Sequence, residues 1–339
     1  MDIEFHYWIT GLVAFRAGFS RSEALTIAYA SQYVDENDIN YEILSRSGGK
    51  AYHNFMSQTM NILKPKDTLM RIYPIFHFIP GDPLAITARR RDGGLHLLNT
   101  TPDNENANVM LDDAFKAHED TRLYRIGIAT HSYVDTWAHQ NFVGWYNYHN
   151  QIELKPAPAI GHATAGHPPD WVSHLWTDER LVDGEVSNRD RFIDAAEALY
   201  KKYCAYQKSQ GKEDLGDQWP DLEDDLVAIC GQTYTGDKVL HQNERLKNYK
   251  KRLGWFPEFD EEEWFDAAIA TDVRGLKDNP DGLLHGLTIF KDRHYWKEDI
   301  PREETHWYRF QQAVKEHERF GIKQLSPIFR TMGYDLAAV

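Results

Sequence analysis

Cysteine is scarce: two residues in 339, Cys204 and Cys230. They form no metal-spaced pair and no disulfide framework, which excludes a thiolate zinc site and a stapled miniature fold. Positive charge is short as well, with 38 Lys and Arg against 52 Asp and Glu and a net charge of −14. Such a chain lacks the basic stripe that captures a nucleic-acid backbone, although bound metal would offset some carboxylates. No run of 18 apolar residues occurs, so no transmembrane helix is expected. The opening Met1-Asp2-Ile3-Glu4-Phe5-His6 has neither the charged start nor the apolar stretch of a secretory signal. The expected location is the cytoplasm, with signal-independent export as the alternative.

Several catalytic signatures are missing too. There is no HExxH, which excludes the protease motif built on it. No His-Asp dipeptide occurs, which disfavours the phosphohydrolases named for that pair. One ExxH is present, Glu303 to His306, so the paired motifs of a di-iron bundle are lacking. Phosphate-binding and dinucleotide-binding glycine loops are absent.

What is abundant is aromatic and imidazole: 10 Trp, 18 Tyr, 16 Phe and 16 His. Helical spacing runs from His6 to Phe15. Ser20 and Glu23 form a capping box ahead of a helix over Ala24 to Val34. That helix ends on Asp35-Glu36-Asn37-Asp38, where the dipole disfavours acid by about 0.3–1 kcal/mol. A metal ligand at the helix end would explain the placement. Residues 45–100 are broken by Gly and Pro, and 155–170 cannot form a long helix. Further helices are expected over Asn104–His118, Asp120–Asn141, 189–209, 221–250, 260–270 and 303–320. The fold class is therefore mainly α: a multi-helix bundle around an inward-facing His/Asp metal cluster, with irregular loops and a helical C-terminal half. Residues 1–185 form the metal-binding core, and 186–339 a helical region packed into the same globular unit.

The chemistry concentrates in His131-Ser132-Tyr133-Val134-Asp135-Thr136-Trp137-Ala138-His139. At roughly 100° per residue, His131, Asp135 and His139 fall within about 80° of arc on one helix face. Buried His and Asp can also satisfy each other by hydrogen bonds, which is the structural alternative. Four other segments place ligand-type side chains at apolar or helix-ending positions: Glu4-Phe5-His6, Tyr33-Val34-Asp35, Phe76-His77-Phe78 and Gly161-His162. An imidazole inside Ile-Phe-His-Phe-Ile is costly to bury unless something binds it. Arg89-Arg90-Arg91 could hold a phosphate, though a short basic run is more often a solvated loop. Trp137, Phe142, Trp145, Tyr146 and Tyr148 could grip an acyl chain, stack a base, or simply pack. Trp307, His306 and His317 read as structural.

In order, His6, Asp35, His77, His131, Asp135, His139 and His162 resemble the ligands of the zinc-dependent phospholipase C and fungal single-strand nuclease superfamily. The resemblance covers about residues 1–170 and lies in ligand order and local motifs. The opening Glu-Phe-His-Tyr, Tyr-Ala-Ser-Gln-Tyr-Val-Asp and HxxxDxxxH stretches also resemble an uncharacterised bacterial family. The superfamily resemblance implies an all-helical fold with three zinc ions in one cleft. It implies that Asp35, His77, His131 and Asp135 hold the first metal. Asp135 would bridge to a second shared with His6, and His139 and His162 would hold a third. Three departures stand out. The relatives use a mature N-terminal residue, whose part Glu4, or Asp2, would take here. The interval from Asp135 to His139 is shorter than usual. Gly166 stands where the relatives carry a Glu, leaving His167 or Asp170 as the substitute. A two-metal site thus stays open beside a three-metal one, and manganese or iron(II) beside zinc.

The implied activity is phosphoester hydrolysis of the phospholipase C type, with a metal-activated water attacking phosphorus. Asp35 is the candidate general base as well as a ligand. A phospholipid substrate is favoured over a nucleic acid by the acidic balance and the aromatic supply. The alternatives are a single-strand nuclease-like phosphodiesterase and a non-enzymatic metal-stabilised protein or exported effector.

Overall fold

The computed structural model describes residues 1–59, 62, 67–152, 157–273 and 292–338. The capping box forms as the spacing predicts: the Ser20 hydroxyl accepts from the Glu23 amide at 3.3 Å, and the Glu23 carboxylate accepts from the Ser20 amide at 2.7 Å. It starts helix α2 (Arg21–Glu36), which follows α1 (Thr10–Arg16). A π-helical turn, Glu4–Ile9, leads into α1, and a second spans Tyr73–His77. Such wide turns are rare and cluster at functional sites. Each carries one candidate histidine, His6 or His77.

Helix α3 (Glu105–Ala114) begins at Asn104, whose side chain accepts from the Ala107 amide. Helix α4 (Glu119–Ala138) is the central element, almost wholly buried beyond its first turn. It packs on α1's successor α2 through Gly127, where a Cβ would lie 2.5 Å from the Ile27 carbonyl oxygen and 2.6 Å from Ala30 Cβ. Glycine is therefore what lets the two helices meet.

The C-terminal half adds α5 (Asn188–Ser209), α6 (Trp219–Cys230), α7 (Gln242–Arg252), α8 (Glu263–Ala268) and α9 (His306–Thr331). The single helix expected over 221–250 is two. Gly231 turns at φ 67°, and His241 at φ 58°, so neither position continues a right-handed helix. Helices α5 and α9 both pack against α4. One hydrophobic core runs through both halves of the chain, from Phe5 and Ile27 to Leu199, Phe310 and Phe329.

Strand is sparse. Strands β1 (Glu42–Leu44) and β2 (Tyr52–His53) are antiparallel, and β3 (Leu175–Thr177) pairs with β4 (Glu185–Ser187). Strands β5 (Ile269–Asp272) and β6 (Arg293–Trp296) complete a four-stranded sheet in the order β2-β1-β6-β5. In it β1 and β6 are parallel, with Ile43 opposite His294. The architecture is mainly α. No helix among the described residues is long and apolar enough to cross a membrane.

Candidate metal centre

Helix α4 presents His131 and Asp135 one turn apart, and its C-cap is His139. The expected three-residue stripe thus ends at the helix terminus, with two members inside the helix and one just beyond it. Around them stand Asp35 from the last turn of α2, His6 and His77 from the two π-helical turns, and His162 and Asp170 from the loop that follows. His131 Nε2 lies 3.2 Å from Asp135 and 3.7 Å from Asp35. His77 Nδ1 lies 3.6 Å from Asp135 and 3.8 Å from Asp35. His6 Nε2 is 3.1 Å from Asp135. On the other side His139 Nε2 and His162 Nε2 lie 3.2 Å and 3.3 Å from the two Asp170 oxygens.

Four of these imidazoles are locked from behind by main-chain carbonyls. His131 Nδ1 meets Ser31 O at 2.8 Å, His77 Nε2 meets Ser57 O at 2.9 Å, His139 Nδ1 meets His77 O at 2.7 Å, and His162 Nδ1 meets Gly166 O at 2.8 Å. A carbonyl only accepts, so each of those nitrogens donates its N–H. In the neutral ring the other nitrogen is then a bare acceptor. All four bare nitrogens point into the cluster, toward carboxylates that also only accept. His131 Nε2 and His77 Nδ1 face each other at 3.0 Å, two lone pairs with no proton between neutral rings. Asp135 Oδ2 and both His6 nitrogens are buried without a hydrogen-bond partner.

Among the described residues three groups have ligand atoms within 4.8 Å of one another: His6, Asp35 and His131; His77, His131 and Asp135, which shares His131 with the first; and His139, His162 and Asp170, which stands apart. This donor set of imidazoles and carboxylates, without sulfur, fits divalent cations such as zinc, manganese or iron(II).

Without metal, the charges are held by one another. Burial alone would drive the Asp135 carboxyl upward, but His139, the Met1 amino group, His131 and His6 outweigh it and hold it well below the usual carboxylate range. Burial likewise opposes ionisation of Asp170, and His162 and the Met1 amino group reverse it, holding its pKa low. His6 is pulled down to about 3, first by burial and then by His131 and the Met1 amino group. Burial acts the same way on His139 and lowers it. On His131 burial is overcome by Asp135 and Asp35, and its pKa is raised.

Glu4 is a correction. Both of its oxygens are taken by Arg245, at 2.7 and 2.8 Å, and its side chain is turned away from the cluster. The position expected for Glu4 or Asp2 is filled by the Met1 amino group, 2.5 Å from Asp135 and 3.3 Å from Asp170. Its pKa is raised to about 11, because Asp135, Asp170 and Asp35 more than reverse the effect of burial. Of the two substitutes for the missing Glu, Asp170 joins His139 and His162, whereas His167 only lines the cavity. Gly166, at φ 75°, instead supplies the carbonyl that anchors His162.

Gln58, which no motif marked, donates to Asp35 at 3.4 Å. Two of the three arginines in the run brace loops: Arg90 donates to His149 O and Arg91 to Leu181 O, while Arg89 is exposed. Of the nearby aromatics, Phe142 is buried under the Arg180 guanidinium, 4.2 Å away. The Tyr146 hydroxyl donates to Ile62 O, while Tyr148 is exposed.

The cluster opens into a cavity of about 270 Å³. Its remaining walls include Ile62, Tyr73, Phe78, Ile160 and Ala163, with no Lys or Arg among the described residues that line it.

A family model described as a family of unknown function, DUF6765, matches residues 1–325. The chain belongs to the DUF6765 family. No curated protein and no solved structure matches it.

Proposed function

We propose that this chain is a metal-dependent phosphoester hydrolase of the phospholipase C-like type, with two or three zinc ions in the cluster. The observation that carries the reading is the fixed orientation of His131, His77, His139 and His162. Each gives its proton to a main-chain carbonyl and turns a lone pair toward Asp135, Asp35 or Asp170. Acceptors that converge on acceptors call for cations between them. Asp35, His77, His131 and Asp135 would hold one ion, His6 and Asp135 a second, and His139, His162 and Asp170 a third. When bound, adjacent cations polarise a phosphoryl oxygen and stabilise the leaving oxygen.

Asp35 is the candidate base because its side chain is 28% exposed, against 1% for Asp135 and 12% for Asp170. It can reach water while the other two carboxylates are enclosed. The apolar walls favour a phospholipid over a single-stranded nucleic acid, the runner-up substrate. Two free, buried cysteines suit a reducing compartment such as the cytoplasm.

The test is elemental analysis of the purified protein, followed by hydrolysis of lysophospholipids and of single-stranded DNA with and without chelator. Two or three zinc equivalents and chelator-sensitive release of a phosphorylated headgroup are expected. Cleavage of DNA alone would move the assignment to the nuclease. A protein that takes up no metal would return the cluster to a buried polar network.

A further inference from the structure

We propose that the Arg245–Glu4 pair positions His6 in the metal cluster, so that the C-terminal half of the chain governs metal occupancy in the N-terminal half. This rests on the reading of the cluster as a metal centre.

The need for such a device comes from His6 itself. Each of the four other histidines is oriented by a carbonyl behind its ring. His6 is not: no carbonyl stands behind its ring, which stacks on His131 at 3.8 Å between centroids and turns Nε2 to Asp135, 3.1 Å away on the cluster side. Stacking fixes the plane of a ring and leaves it free to slide. The remaining control must come through the backbone that carries it.

That backbone is the π-helical turn Glu4–Ile9, and its fixed point is Glu4, two residues before His6. Glu4 and Arg245 are both buried. The guanidinium takes the carboxylate in a two-pronged contact at 2.7 and 2.8 Å, and its third arm donates to Leu240 O at 2.7 Å. Arg245, on α7, is thereby tied to the segment that leads into its helix while it grips the turn. Asp2 closes the arrangement from the other side, with its Oδ1 accepting from the Glu4 amide at 3.0 Å. A buried ion pair contributes little net stability, and its best-attested use is to fix register. Here the register is that of the segment bearing His6.

The test uses the full-length protein and zinc alone as the probe. Arg245→Lys is the deciding variant, because it keeps the charge and loses the planar fork. Glu4→Gln and the paired Glu4→Gln/Arg245→Met exchange accompany it. Zinc equivalents and affinity by chelator competition are measured beside the far-ultraviolet helical signal. With the helical signal unchanged, zinc at the His6–Asp135 position should weaken about 10–100-fold, as for other changes behind a metal ligand. The equivalent held by His139, His162 and Asp170 should stay. Arg245→Lys with wild-type stoichiometry and affinity overturns the positioning role alone. Wild-type protein that holds no zinc overturns the metal reading beneath it as well.

Discussion

Asp135→Asn removes one charge from the middle of the cluster and leaves volume and helix unchanged. The lost carboxylate lies 2.5 Å from the Met1 amino group, 3.1 Å from His6 and 3.2 Å from His131. Two effects separate according to whether metal is present. In its absence the Met1 ammonium loses the nearer of its counter-charges and keeps Asp170 at 3.3 Å. Removing one partner of a buried pair costs about 3–5 kcal/mol when the survivor stays ionised. An amino group with an ordinary pKa of 8.0 can instead release its proton. At about 1.4 kcal/mol per pH unit, that caps the cost at ~1–2 kcal/mol near neutrality. At about 2.1 cal/mol/K of unfolding entropy per residue, a chain of 339 residues shifts by ~1.4 °C per kcal/mol, so the metal-free variant should melt roughly 1–3 °C lower.

With metal the difference should be larger. Zinc at 100 times its dissociation constant adds about 2.7 kcal/mol per site, or ~4 °C for a chain of this length. Loss of a ligand should exceed the ~10–100-fold weakening seen for changes behind one. At the same zinc concentration the variant should then gain less than about 1 °C from that site. Calorimetric melts of both proteins, with zinc and with chelator, measure the two shifts. A zinc-induced rise in the variant equal to that of wild type would remove Asp135 from the ligand set and refute the reasoning.

Chelation should strip the metal and leave the helical signal intact, because the hydrophobic core extends through both halves independently of the cluster. Collapse of the circular dichroism would favour a purely structural metal. Asp35→Asn should lower the turnover number by about 10²–10⁴-fold if Asp35 moves the proton, with zinc still bound at His139, His162 and Asp170; steady-state kinetics beside elemental analysis show whether it does. Gly127→Ala should push α2 and α4 apart at a cost of ~1–3 kcal/mol and weaken zinc by straining the His131–Ser31 bond; an unchanged melt and zinc affinity would contradict this. Acid should destabilise the fold through His149, whose ring is held at about 3 by burial, then Arg90, His96 and Arg180. The unfolded chain binds that proton near pH ~6.5, so its contribution is intact above about 6.5 and lost as pH falls toward 3. Urea midpoints between pH 7 and 4 should fall less steeply in His149→Gln.

The helices were legible where local signals agree, as at Ser20 and Glu23. The run over 221–250 misled because its charged face continues the helical pattern across Gly231 and Gly236, both of which turn at positive φ. The residues in the cluster were legible because a helix repeats, and His131, Asp135 and His139 therefore share a direction. The fate of Glu4 was not, since Arg245 is 241 positions away and nothing local marks the pair. The β1–β6 pairing was hidden for the same reason. Asp170 was legible only as one of two candidates, because the turn at Gly166 decides which side chain faces inward.

The anchors behind the histidines have a consequence for how such a site drifts. Ser31, Ser57, His77 and Gly166 hold the rings through their carbonyl oxygens, an atom every amino acid carries. At Ser31, whose hydroxyl has no partner, an alanine would keep the anchor whole. The orienting layer is written in the path of the chain and leaves almost no imprint in its letters. Relatives could replace much of it and keep the same lone pairs aimed at the same point, so a search for fixed residues would find the ligands and miss what aims them.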